Sequence, residues 1–313
     1  MHKSVLNQEI LEAFSYLKNT DGFFVDGTLG FGGHSIAIIT NLSRKLNILG
    51  IDKDESAIRF TKERIETEGL LDNFELINRD FREIKTILAE QKIDQIKGAL
   101  LDLGVSSMQL DQADRGFSFK SPESALDMRM DQKQKLDARE VLNTYNEDKL
   151  TEILRGYGEE KFAKNIARNI IQSRERRPIK TIRDLLNILE ISIPAREKFK
   201  SKHHFATKTF QAIRIEVNQE LEHLKKAIFD ISECLLPGTR LAVITFHSLE
   251  DRIVKNSFKE LENPCHCPPQ LPCICQKIPI GKIITKKPII AGKEELSVNP
   301  RSRSAKLRIL QKI

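Results

Sequence analysis

No uninterrupted apolar run in this 313-residue chain approaches the ~18 residues that a membrane-crossing helix needs. The opening stretch "MHKSVLNQEILEAF" also lacks the apolar centre of a signal peptide. These two absences make the cytoplasm the expected compartment and exclude a membrane partner. Internal repeats and long disordered tracts are missing as well, and 40% apolar with 30% charged residues suits a chain that folds around a core. Its length allows one large domain or two smaller ones. Cysteine is scarce: of five, Cys234 is isolated in an apolar helical pattern and is expected in the core. The other four, Cys265, Cys267, Cys273 and Cys275, crowd into "CHCPPQLPCIC". Disulfides are disfavoured in a reducing compartment. Two close CxC pairs therefore point to a structural zinc, although zinc ligands more often come as CxxC.

What is missing from the glycine-rich stretch Phe23 to Ser35, "FFVDGTLGFGGHS", decides its ligand. An apolar run ends in an acid, four glycines follow within seven residues, and Ser35 starts a helix. A nucleoside-triphosphate loop needs Gly-Lys-Ser/Thr, and no lysine is present. A dinucleotide loop needs G-x-G-x-x-G, whereas Gly30-x-Gly32 is followed by Ser35. What remains, D-x-T-x-G-x-G-G from Asp26 to Gly33, is close to the acid-plus-glycines loop of S-adenosylmethionine (SAM)-dependent methyltransferases, with Thr28 replacing the first glycine. Bare backbone lets such a ligand approach closely.

Around this loop strand and helix patterns alternate. "GFFVD", "LNILGID", "NFELIN" and "IKGALLDLG" read as strands; Ser35–Leu42, Ser56–Glu66 and Phe81–Glu90 read as helices. Short continuous apolar strands between helices imply a parallel sheet covered on both faces. From 105 to 205 no strand pattern occurs. Helices are expected after Asn146, along Phe162, Ile166 and Ile170, and after Thr181, with Asp184 completing a capping box. Alternation then resumes: one long helix Phe210–Leu235, a fifth strand "TRLAVITFHS", a helix Leu249–Leu261, and two edge strands around Lys282–Ile290 and Ser304–Leu310. The expected fold is α/β, a Rossmann-like doubly wound, mostly parallel sheet formed by 1–104 and 206–313, with an all-helical domain, 105–205, inserted.

In such sheets ligands lie beyond the carboxyl ends of the strands, at the switch in strand order. Asp52, about 20 residues past the glycine loop, is placed to accept both ribose hydroxyls. Phe81 is placed to cover adenine, and Asp102 stands at the methyl-transfer position, where a buried carboxylate without a task would be costly. A NAD-dependent dehydrogenase would share Asp52 and have no need of Asp102. The charge of +7 is concentrated: Arg155–Lys208 holds 14 Lys/Arg against 6 Asp/Glu, which suits either a nucleic-acid partner or a solvated helical surface.

The blocks "HKSVLNQEILEAF", "FVDGTLGFGGHS", "DLGVSSMQLD", "RGFSF", "LDMRMD", "FQAIRIEVNQEL", "TFHSLEDRIVK" and "NPRSRSAKLRIL" together resemble the RsmH (MraW) family of bacterial 16S ribosomal RNA cytosine-N4 methyltransferases. The resemblance runs from His2 to Leu310 with every block in order. It implies SAM contacts at Gly32, Gly33, His34, Asp52, Phe81, Asp102 and Gln109, and methylation of N4 of cytidine 1402 in the decoding centre of the small ribosomal subunit. It gives the helical insert a part in RNA binding, and the cysteine cluster, which is not universal in the family, no catalytic one.

The cytosine amine is a poor nucleophile because its lone pair is delocalised, so the enzyme must supply hydrogen-bond acceptors and in-line alignment. Many amino-methyltransferases carry Asp/Asn-Pro-Pro-aromatic after the fourth strand; here Asp102-Leu103-Gly104-Val105 has no stacking aromatic. Asp102 then serves the cofactor alone or the amine too. Phe117, Phe119 and Asp127 are candidates for the base pocket, and His247 for a further catalytic group. Arg174, Arg176, Arg177 and Lys180 are candidates for RNA backbone contacts. An unpaired or flipped-out base is required. Another RNA, DNA or protein as substrate, a SAM-binding RNA chaperone without turnover, and a homodimer stay open.

Overall fold

The continuous apolar runs form parallel strands in a computed structural model of the chain, which describes residues 4–200, 204–265, 267, 270 and 274–313. The strands are β1 (Gly22–Asp26), β2 (Leu46–Ile51), β3 (Phe74–Ile77), β4 (Ile96–Asp102), β5 (Leu235–Thr245), β6 (Gly281–Ile283) and β7 (Lys306–Lys312). They lie in one sheet in the order β3-β2-β1-β4-β5-β7-β6. Pairs among β1 to β5 are parallel, whereas β7 runs antiparallel to both β5 and β6. The switch in strand order therefore falls between β1 and β4.

Alternation along each strand sends neighbouring side chains to opposite faces. Phe24, Ile48, Leu100, Ala242 and Ile244 pack into one core, with Ile10 and Phe14 beside helix Asn7–Ala13 and with Ile38 and Ile39 of helix Gly33–Asn41. Val25, Leu49, Ala99, Leu101, Leu241 and Val243 pack into the other, with helices Ile84–Glu90, Leu224–Cys234 and Ser248–Glu262. Burial on both faces explains why these strands carry no polar alternation in sequence. Cys234 is half-buried and packs at the margin of this second core. The two tail strands pair as expected, but as β7 inserted between β5 and β6; β6 is short, and beyond it Ile289 forms a single bridge to Leu307.

The chain divides into two compact units, 1–104 with 221–313 and 105–220. The first boundary is the expected one. The second falls one helix later than 205, because helix Thr207–Asn218 places Phe210, Ala212, Ile213 and Val217 in the core of the insert. The long helix expected over Phe210–Leu235 is accordingly two, Thr207–Asn218 and Leu224–Cys234. No glycine or proline marks the break. Buried Asn218 makes it: its Nδ2 donates to the Met128 carbonyl at 2.7 Å and its Oδ1 accepts from Met130 N at 2.8 Å. Gln219 then turns left-handed at φ 49°, and Arg214 pairs in a fork with Glu220 at 2.8 and 2.7 Å.

The insert contains no named strand among its described residues; one isolated bridge links Ala125 to Thr181. Two of its helices start where capping predicts. Asn146 Oδ1 accepts from Lys149 N at 2.8 Å, and Thr181 with Asp184 closes a reciprocal capping box. No helix among the described residues is long and apolar enough to cross a membrane.

Candidate active site

The glycine loop leaves β1 and enters helix Gly33–Asn41 with its backbone wound tightly. Gly32 is left-handed at φ 68°, and a Cβ there would stand 2.7 Å from Thr61 Cγ2; at Gly33 it would stand 2.2 Å from Ser4 Oγ. Both glycines are thus required by the packing of the loop itself. Asp26, 2% exposed, organises the loop: its Oδ2 accepts from Ser35 Oγ at 2.6 Å and its Oδ1 from Thr28 N at 3.2 Å. Burial raises its pKa above the ordinary carboxylate range, against the lowering effect of Ser35. The Thr28 hydroxyl accepts from Asp102 N at 2.5 Å and so ties the loop to the end of β4.

Asp52, immediately beyond β2, accepts from Gly30 N at 2.8 Å through Oδ2 and from Asp54 N at 2.9 Å through Oδ1. Burial pushes its carboxyl up to about 6, with the two backbone donors acting in the opposite direction. Each of its oxygens has a further lone pair for a hydroxyl. Thr61 Oγ1 donates to the Gly30 carbonyl at 2.8 Å, locking the loop on the side of helix Glu55–Thr67. Phe81, half-buried, starts a short 3-10 turn capped by Asp80, whose Oδ1 accepts from Arg82 N at 3.0 Å.

At the switch point, His34 Nε2 lies 3.6 Å from Asp102 Oδ2. His34 is 5% exposed, and neither ring nitrogen has a hydrogen-bond partner; Asp102 Oδ1 is buried and likewise unpartnered. Buried polar atoms without partners are rare in native proteins, and a bound ligand at the strand switch is one way to satisfy these. A charged, hydroxyl-bearing adenosine derivative fits this donor and acceptor set. Asp52 would hold the ribose, Phe81 would cover the adenine, and Asp102 with His34 would meet the charged end.

The other expected residues have different surroundings. Gln109 is buried in the insert, where its Oε1 accepts from Ser106 N at 3.0 Å. Asp127 is gripped by the Arg129 fork at 2.9 and 2.7 Å. Burial raises its pKa, but the Arg129 bonds outweigh that and hold it below the ordinary range. His247 caps helix Ser248–Glu262, its Nε2 3.1 Å from Glu250 Oε1, while Glu250 Oε2 accepts from Phe246 N and His247 N. A cleft of about 290 Å³ opens beside it, lined also by Ser302, Ser304 and Lys306 of the "NPRSRSAK" block.

Phe117 is core, 7% exposed. Phe119 stacks on His204, with centroids 4.4 Å apart and planes at 18°, and His204 stacks in turn on Phe205. His204 and Phe205 escaped the sequence reading; the only signal was an aromatic pair in a basic stretch. Arg174 Nη1 donates to the Leu142 and Tyr145 carbonyls at 2.9 and 2.6 Å, so it closes the end of helix Ala138–Thr144. Arg176, Arg177 and Lys180 are exposed, with Arg177 touching Asp184. The Sγ atoms of Cys265, Cys267 and Cys275 converge; Cys273 lies outside the described residues.

The strand order, the glycine loop and the acids at the strand ends define a Rossmann-like domain of the SAM-dependent methyltransferase class. The family model described as "MraW methylase family" matches residues 1–313. A Clostridium botulinum (strain Kyoto / Type A2) protein named ribosomal RNA small subunit methyltransferase H is 51% identical over 313 residues, 100% of this chain and 99% of that protein. An Agathobacter rectalis protein named ribosomal RNA small subunit methyltransferase H 2 is 45% identical over 312 residues, 99% of this chain and 98% of that one. A solved rRNA methylase from Streptococcus thermophilus, at 12% identity and TM-score 0.45 over 100% of this chain and 99% of that one, adds nothing to the fold read from the sheet. The chain belongs to the MraW methylase family.

Proposed function

We propose that the protein transfers a methyl group from SAM to N4 of cytidine 1402 in the decoding centre of 16S rRNA. The observation that carries the mechanism is Asp102 Oδ1, buried at the switch point without a partner. When bound, SAM supplies a methyl group made electrophilic by its sulfonium. Asp52 orients the ribose through the lone pairs that Gly30 N and Asp54 N leave open. His34 and Asp102 supply the polar surface at the reacting end.

Of the three groups considered for activating the amine, Asp127 is held in the Arg129 fork, and His247 already uses its accepting nitrogen, Nδ1, on Glu250 N, which leaves Nε2 a donor. Asp102 retains an unsatisfied acceptor, and it takes the N4–H. Accepting that hydrogen bond draws the nitrogen lone pair out of the ring and towards the methyl group. The helical unit binds RNA. Exposed Arg176, Arg177 and Lys180 meet phosphates, and the Phe119–His204–Phe205 stack, with Lys198 Nζ 5.6 Å from the Phe205 ring, offers a platform for unpaired bases. A substrate in the small subunit places the protein in the cytoplasm.

Methyl transfer from isotopically labelled SAM to small subunits, naked rRNA, DNA and ribosomal proteins, followed by separation of the macromolecules, tests the substrate class. Label is expected in small-subunit RNA alone. Asp102→Asn keeps the fold, weakens SAM binding by about 10-fold and, at saturating SAM, lowers turnover by about 100-fold, the size of effect that loss of one charge-stabilising contact has at a reacting centre. Label in DNA or protein, or full turnover by Asp102→Asn, would overturn the proposal.

A further inference from the structure

Helix Ser248–Glu262 and β6 (Gly281–Ile283) are joined by residues 263–280, none of whose described residues is in a helix or strand or buried. Ile274 and Ile278 are 84% and 80% exposed. The connection leaves and returns at one place. Ile280 N donates to the Leu261 carbonyl at 2.9 Å, and Ile283 N to Glu262 Oε1 at 2.8 Å. The described residues of the connection bury no apolar side chain, and three of its cysteines come together.

We propose that Cys265, Cys267 and Cys275 bind a zinc ion that clamps this segment. Their three Sγ atoms all lie within 4.8 Å of one another. Tetrahedral zinc thiolates with Zn–S near 2.3 Å set sulfur atoms about 3.8 Å apart, so a shift of at most about 0.6 Å at each sulfur closes the site. Cys267 N donates to Cys265 Sγ at 3.4 Å, which fixes the two sulfur-bearing residues in one tight turn. Gln276, next to Cys275, is left-handed at φ 51° and reverses the chain directly after the third thiol. A set of three thiolates selects zinc over the harder divalent cations. Binding displaces the three thiol protons to solvent, with no change in oxidation state. Closing the loop removes chain entropy from the unfolded state, so the ion acts on stability and not on the methyl-transfer chemistry.

The test is the metal content of the full-length protein, purified without chelators and measured by elemental mass spectrometry. About one zinc per chain is expected, falling to none in Cys267→Ser and unchanged in Cys234→Ser, whose thiol lies on helix Leu224–Cys234 outside the cluster. Cobalt titration of the chelator-treated wild-type chain covers the case in which Cys267→Ser fails to fold; it should give a sulfur-to-cobalt charge-transfer band and tetrahedral visible bands. Absence of bound zinc together with immediate reaction of the cluster thiols in the native protein would overturn the proposal. So would zinc retained by Cys267→Ser, or iron with acid-labile sulfide in its place.

Discussion

Replacing Asp52 by asparagine should stabilise the protein and weaken its cofactor site in one stroke. The Asp52 carboxyl is pushed up to about 6 by burial, against ~3.9 in an unfolded chain, and ~2 units correspond to ~3 kcal/mol. Between those two values the unfolded state has released the proton and the folded state still holds it. Stability therefore falls as pH rises from about 4 to about 6 and is level above that. Asparagine abolishes this titration but keeps only one acceptor oxygen for the two N–H groups of Gly30 and Asp54, a loss of about 1–1.5 kcal/mol. The net gain above pH 7 is about 1–2 kcal/mol, or roughly 4 °C in unfolding midpoint for a unit of this size. Near pH 4 the gain vanishes and the lost hydrogen bond leaves the variant slightly less stable. SAM affinity should drop by about 100-fold, since charge-assisted bonds are worth ~1.5–3 kcal/mol each. Thermal unfolding of both proteins from pH 4 to 8, with titration calorimetry at pH 7.5, reads all three quantities. A midpoint difference that does not grow with pH, or unchanged SAM affinity, would refute the assignment of Asp52.

Gly32→Ala introduces a Cβ at φ 68° and 2.7 Å from Thr61 Cγ2. Left-handed backbone costs ~1–2 kcal/mol and overpacking ~1–3, so a fall of about 8 °C in midpoint is expected, with SAM restoring little of it. The triple variant Arg176→Ala, Arg177→Ala, Lys180→Ala should lower the slope of log affinity against log salt by about 2, at ~0.7 per single-strand phosphate contact, while leaving SAM binding unchanged. Filter binding across salt concentrations checks it; an unchanged slope would place the RNA elsewhere.

How far the sequence carries depends on what kind of interaction holds each feature. The first five strands, and Asp26, Asp52 and Asp102 at the ends of three of them, were legible, because a strand buried on both faces is a continuous apolar run that stops where the chain meets solvent. The capping box at Thr181 and Asp184 was legible for the same local reason. The break at Asn218 was not, since its cause lies 88 and 90 residues away at Met130 and Met128.

Within the candidate site, residue type located the carboxylates but could not say which were already paired. Arg129 beside Asp127 and Glu250 beside His247 are close in sequence, and either pair could have been read as an acid with its activator. Only geometry shows a fork and a helix cap. Phe117 next to a glycine looks like a pocket residue, and the structure puts it in the core. The Phe119–His204 stack needs a contact across the insert that no local pattern announces.

The most direct measurement is digestion of RNA to nucleosides after reaction of the purified protein with labelled SAM and small subunits lacking the methyl mark, with mass spectrometry of the nucleosides and mapping of the labelled fragment. The account predicts one labelled species, N4-methylcytidine, at position 1402 in the decoding centre. Label on a ring carbon, on another base or at another site, or tight SAM binding with no labelled nucleoside, would contradict it.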